Sequence, residues 1–77
     1  MLLTLKRWFN IPVKGEVRWF NSQRGYGFIE LTSGEDVFVH YSKIKSKGFR
    51  SLHPSQPVEL TVEKNQQGWQ AKEVNVL

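Results

Sequence analysis

Apolar and polar residues alternate over short stretches along most of this chain and never recur at the spacing of an amphipathic helix. The pattern predicts an all-β domain. Val13 to Phe20 reads as the first strand of the core. Asn21-Ser22-Gln23 turns it into a second strand, Gly25 to Leu31, and Thr32-Ser33-Gly34-Glu35 leads into a third, Asp36 to His40. Ser42 is placed to cap a single helical turn through Ile44. Lys45 to Pro57, with Gly48, Pro54 and Pro57, reads as a long surface loop, and a loop of that length in a small domain is usually functional or mobile. Val58-Glu59-Leu60-Thr61-Val62-Glu63 alternates cleanly and turns Val58, Leu60 and Val62 inward. Asn65-Gln66-Gln67-Gly68 then turns into a last strand, Trp69 to Val76. Three strands followed by two suggest a small closed or nearly closed barrel.

Side chains on a strand point alternately to opposite faces, so Tyr26 and Phe28 share one side and Ile29 the other. In the next strand Phe38 and His40 share a side, opposite Val37 and Val39. The aliphatic side is the natural core, and a barrel cannot be filled from both faces of the same strands. Four rings are therefore expected on the outer face, interleaved with Gly25 and Gly27 and preceded by Arg24. Flat rings beside cations suit the faces and phosphates of unstacked nucleotides, which points to single-stranded RNA or DNA as the partner. Taken singly, an aromatic in a strand is a core residue more often than not, and neighbouring rings on a sheet also support one another.

A chain of 77 residues bounds the answer to one domain with a small core. With no cysteine there is neither a disulfide framework nor a thiolate metal site. The opening Met1-Leu2-Leu3-Thr4-Leu5 is too short, and Lys6-Arg7 stands on the wrong side of it, for a signal peptide; no run reaches membrane-spanning length. The expectation is a cytoplasmic protein without a membrane partner. The net charge of +4 favours a polyanion without requiring one. Its distribution is more informative: Lys6, Arg7, Lys14, Arg18 and Arg24 precede the ring-bearing strands, and Lys43, Lys45, Lys47 and Arg50 follow them. His40 and His53 are the only histidines, and neither belongs to a Ser-His-acid, paired-carboxylate or metal-ligand pattern. No enzyme activity, cofactor or metal is expected, and no phosphate-binding loop is present.

Glu16-Val17-Arg18-Trp19-Phe20-Asn21, the Arg24 to Ile29 run, Asp36-Val37-Phe38-Val39-His40-Tyr41-Ser42 and Gly48-Phe49-Arg50-Ser51-Leu52 together resemble the cold-shock domain in composition, order and spacing. The resemblance covers about residues 13 to 76. It implies a five-stranded antiparallel oligonucleotide-binding barrel whose second and third strands carry two ribonucleoprotein motifs. It also implies an RNA-chaperone or antitermination role. An RNA-recognition motif would share the glycine-aromatic run but would need two helices, for which the sequence offers no segment. A barrel that binds a peptide or another protein through the same aromatic patch is the alternative from another class.

Candidate site residues follow from both readings. Tyr26, Phe28, Phe38 and His40 form the centre, with Tyr41 next to them in the chain. Strict alternation sends Trp19 inward with Val17, whereas the resemblance sets Trp19 and Arg18 at the edge of the ligand face and turns Phe20 toward the barrel; a local bulge would reconcile the two. By resemblance Phe49 extends the stacking platform, or as a loop aromatic it pins its loop to the barrel. Lys14, Arg18, Arg24 and Arg50 are candidate phosphate contacts. Asp36 by resemblance lies beside the base-binding face, where a carboxylate accepts hydrogen bonds from base amino groups; its plainer reading is a cap at the strand start. Trp69 departs from the small or proline residue expected at its position, and either adds a stacking surface or covers the barrel end. The second departure is the segment Met1 to Pro12, which a minimal cold-shock domain lacks. Its Leu2, Leu3, Leu5, Trp8 and Phe9 are expected to pack on the barrel or to form a homo-oligomer. Arg7-Trp8-Phe9-Asn10 also repeats Arg18-Trp19-Phe20-Asn21, which makes extra nucleic-acid contact a further reading.

Overall fold

The computed structural model describes residues 11–45 and 51–77. Met1 to Asn10 lie outside the described residues, as do Phe49 and Arg50. Strands β1 (Val13–Asn21), β2 (Tyr26–Leu31) and β3 (Asp36–His40) form the expected meander. A 3-10 turn at Tyr41–Lys43 and the two-residue strand β4 (Ile44–Lys45) follow, and β5 (Pro57–Asn65) and β6 (Gly68–Val76) complete the chain. Among the described residues no helix is long and apolar enough to cross a membrane.

β1 pairs antiparallel with β2 on one side and β5 on the other, and β5 pairs antiparallel with β6. The sheet closes where β3 meets β6 in parallel at the single register pair Phe38 and Gln70. Five long strands thus form a closed barrel, and β4 adds a short parallel pairing along the rest of β6, Ile44 with Val74 and Lys45 with Asn75. The alternation read from the sequence sets the core. Ile29, Val37, Val39, Val58 and Val74 are wholly buried, and Val17, Ile44, Leu60, Val62 and Ala71 join them.

Two local features differ from the sequence reading. The cap of the 3-10 turn is His40 rather than Ser42: the His40 ring accepts from the Ser42 backbone N–H, so the side chain before the turn takes the orphan donor. Within the segment read as a surface loop, Leu52 is buried in the barrel core. Backbone bonds from Ser55 N to Val17 O and from Val17 N to Gln56 O tie the end of that segment to β1.

A candidate nucleic-acid interface on the β1, β2 and β3 face

The bulge in β1 decides which side chains reach the outer face. Val17 faces Ile29 and Trp19 faces Phe28, so Arg18 is an extra residue on β1. Alternation restarts after it. Arg18 and Trp19 both point outward, and Phe20 packs partly against the core.

β2 and β3 then set Tyr26 opposite His40 and Phe28 opposite Phe38. Trp19 lies 5.6 Å from Tyr26 and 6.4 Å from Phe28 between ring centroids. Phe38 is 5.8 Å from both Tyr26 and Phe28, roughly stacked on the first and edge-on to the second. The His40 ring is 4.6 Å from that of Tyr41. Trp19, Phe28 and Tyr41 are 44%, 40% and 44% exposed, although large apolar rings usually avoid water; Tyr26, Phe38 and His40 are half-buried between them. The result is a continuous ring surface on the side opposite the aliphatic core.

The glycines between the rings have steric roles that the sequence pattern did not disclose. A Cβ on Gly27 would strike the Trp19 carbonyl oxygen and lie 2.7 Å from Phe20 Cα, so only glycine lets β2 approach β1 beside the bulge. Gly25 has φ +79°, and a Cβ there would lie 2.7 Å from Tyr41 Cδ1. The Tyr41 ring occupies the space a side chain would need.

His40 Nδ1 lies 3.3 Å from the Ser42 backbone nitrogen and 2.8 Å from Ser42 Oγ. A backbone N–H only donates, so Nδ1 is the acceptor and the neutral ring carries its proton on Nε2. That leaves Nε2–H as the donor of the neutral ring.

Charge is arranged unevenly around the rings. Arg18 Nη1 stands 3.6 Å from Asp36 Oδ1 and 3.8 Å from Glu30 Oε2, all three side chains being about half exposed. Glu30 and Asp36 face one another across β2 and β3, one step beyond Phe28 and Phe38 on the same face. Glu30 was missed in the sequence reading, although its alternation with Tyr26 and Phe28 marks it. Arg24 sits exposed in the β1–β2 turn, whose backbone is held by Asn21 Oδ1 accepting from the N–H groups of Gln23 and Arg24. Lys14 is exposed farther along β1, beyond Glu16, and its carbonyl accepts from the Thr32 N–H and hydroxyl. It lies away from the rings along the strand. Trp69 packs partly against the core at the barrel end, with Lys64 Nζ 5.6 Å from its ring centre.

This geometry agrees with the comparisons to known proteins. A family model described as the "Cold-shock" DNA-binding domain matches residues 13–77. The chain belongs to the cold-shock domain family. It is 49% identical over 63 residues to the cold shock-like protein CspLB of Listeria monocytogenes, covering 82% of this chain and 96% of that protein. With the cold shock-like protein CspE of Bacillus anthracis it shares 53% identity over 64 residues, covering 83% of this chain and 96% of the relative. The solved structure of Drosophila Unr CSD456 superposes with a TM-score of 0.73 at 20% identity over the whole of this chain, which spans 31% of that one; this likeness bears on the fold alone. Cold-shock domains form a nucleic-acid-binding, non-catalytic family.

Proposed function

We propose that this cold-shock domain binds single-stranded RNA or DNA in the cytoplasm by stacking bases on Trp19, Tyr26, Phe28, Phe38 and His40, with little demand on sequence. Residues 13–77 are the binding unit, and residues 1–12 are an appended segment. The observation that carries this reading is the continuous, partly exposed ring surface on β1, β2 and β3, backed by a core already filled with aliphatic residues. Every base has a π-face, so such a surface tolerates sequence, and each stacked base contributes roughly 1–3 kcal/mol. Three or four bases then bring affinity into the micromolar to nanomolar range after the cost of association.

The functional consequence is mass action. A domain that binds only the open strand shifts a hairpin toward its unpaired form without nucleotide hydrolysis, which is the chemistry of an RNA chaperone or antiterminator. Arg24 and the basic segment after β3 meet phosphates, while Asp36 and Glu30 accept from base amino groups where a nucleotide reaches them. Titration of a labelled pyrimidine-rich oligonucleotide, its duplex and a proline-rich peptide tests the proposal. Tight binding of the single strand alone is expected. Equal affinity for the duplex removes the stacking mechanism, and preference for the peptide replaces nucleic acid as the ligand class.

A further inference from the structure

Rows of outward side chains cross the sheet from β1 to β3. Tyr26 stands opposite His40 in one row, and Trp19, Phe28 and Phe38 line up in the next. The row beyond Phe28 and Phe38 is wholly acidic: Glu16 faces Glu30 and Glu30 faces Asp36, all three exposed. Like charges directly opposite one another on neighbouring strands are destabilising, so this row opposes the pairing of its strands rather than supporting it. One cation stands among the carboxylates. Arg18, the extra residue of the β1 bulge, reaches Asp36 at 3.6 Å and Glu30 at 3.8 Å, and a single guanidinium leaves the row with an excess of negative charge. Arg24 lies at the other end, in the turn beyond the Asn21 and Tyr26 pair. The ring surface is therefore acidic at one end and basic at the other.

We propose that Glu30 is a specificity-determining residue of the ring face that disfavours double-stranded nucleic acid; this rests on the single-strand reading above. Glu30 is the middle member of the acidic row and shares Arg18 with Asp36. A free guanidinium beside the rings would attract any phosphate backbone, because counterion release does not depend on whether the bases are exposed. Held between two carboxylates, Arg18 offers little of that attraction. A single strand loses little by this: its bases turn onto the rings, and its one backbone follows the basic end past Arg24. A duplex keeps its bases stacked inside and presents the phosphates of both strands, one charge per roughly 1.7 Å of axis. Laying it on the rings brings phosphates against the acidic row. Such like-charge contact rejects the wrong partner without adding affinity for the right one. The exposed ion pairs themselves contribute little to stability, so the fold does not depend on Glu30.

The affinities of the full-length protein for a labelled single strand and for its duplex, measured at one salt concentration, give a selectivity ratio. Glu30→Gln keeps the size of the side chain and removes its charge, and it is expected to lower that ratio roughly threefold to tenfold by tightening the duplex. An unchanged or larger ratio overturns the proposal. Glu59→Gln makes the same change in net charge on β5, between Lys14 and Asn75, and is expected to leave the ratio as it was. A fall as large as that of Glu30→Gln overturns the proposal, because overall charge would then suffice. Salt gives a second readout. Glu30→Gln with Asp36→Asn frees Arg18, so the logarithmic salt slope for the duplex is expected to steepen by about 0.9, the share of one phosphate, and to return when Arg18→Gln is added. A slope that stays at the parental value overturns the proposal. A parent that holds the duplex as tightly as the single strand removes the stacking reading and this inference with it, whereas a selective parent whose ratio survives Glu30→Gln removes this inference alone.

Discussion

Among the described residues Phe28 has Trp19 and Phe38 as its ring neighbours and lies outside the aliphatic core, so truncating it separates binding from stability. Phe28→Ala is expected to weaken single-strand binding by about 1–3 kcal/mol, with a melting curve close to that of the parent; isotherm and melt are measured on the same sample. Phe38→Ala loses a similar amount of affinity and also some stability, since Phe38 stands opposite Gln70 where the barrel closes. Gly27→Ala acts on the fold instead. Its methyl group would meet β1 backbone atoms, which cannot swing aside as a side chain can, and a loss of roughly 1–3 kcal/mol or more is expected. A thermal melt reads that as a fall of about 4–8 °C per kcal/mol. For His40 the expectation is spectroscopic: a long-range nitrogen correlation spectrum of the neutral ring shows the proton on Nε2, and a mixture of tautomers would show that Ser42 does not hold the ring.

The elements were legible in the sequence to the extent that alternation governs them. Val58, Leu60 and Val62 on β5 and Ile29, Val37 and Val39 on β2 and β3 are buried as their period of two requires, because all three strands lie in a closed barrel with one filled side. β1 breaks the rule at Arg18, where alternation alone sends Trp19 inward; the bulge depends on β2 coming close at Gly27, a contact distant in sequence. Leu52 was invisible for a related reason. Surrounded by Ser51, His53 and Pro54 it has no periodic partner, and its burial is decided by a barrel opening that only the assembled strands create. Leu52→Ala is accordingly expected to cost about 2–4 kcal/mol, in the range for a buried leucine, which a denaturant titration with unchanged m-value would show. The ring face was read from two strands, whereas the pairing of Arg18 with both Asp36 and Glu30 needed the third.

For the whole molecule, the net charge of +4 overstates the attraction available at the ring face. Arg18 is already offset by two carboxylates and Lys45 by Glu73, so the proposed phosphate contacts fall to Arg24 and the other basic residues after β3. With about −0.7 per neutralised phosphate on a single strand, two such contacts give a logarithmic salt slope of roughly −1.5. Affinity measured across a series of salt concentrations checks this, and a slope beyond about −4 would make the protein a polycation binder in which rings are secondary. The closing pair of the barrel has a consequence of its own. β3 and β6 meet at one register position, and one of its two residues, Phe38, is part of the surface on which bases are proposed to stack. A seam held by so little backbone pairing opens at a smaller free energy than the long antiparallel ladders beside it, and a ligand resting on Phe38 favours the closed form. Amide hydrogens along this join should exchange with solvent much more slowly once an oligonucleotide is bound, while those between β5 and the middle of β6 change little, so that the nucleic acid acts as the latch of the fold that holds it.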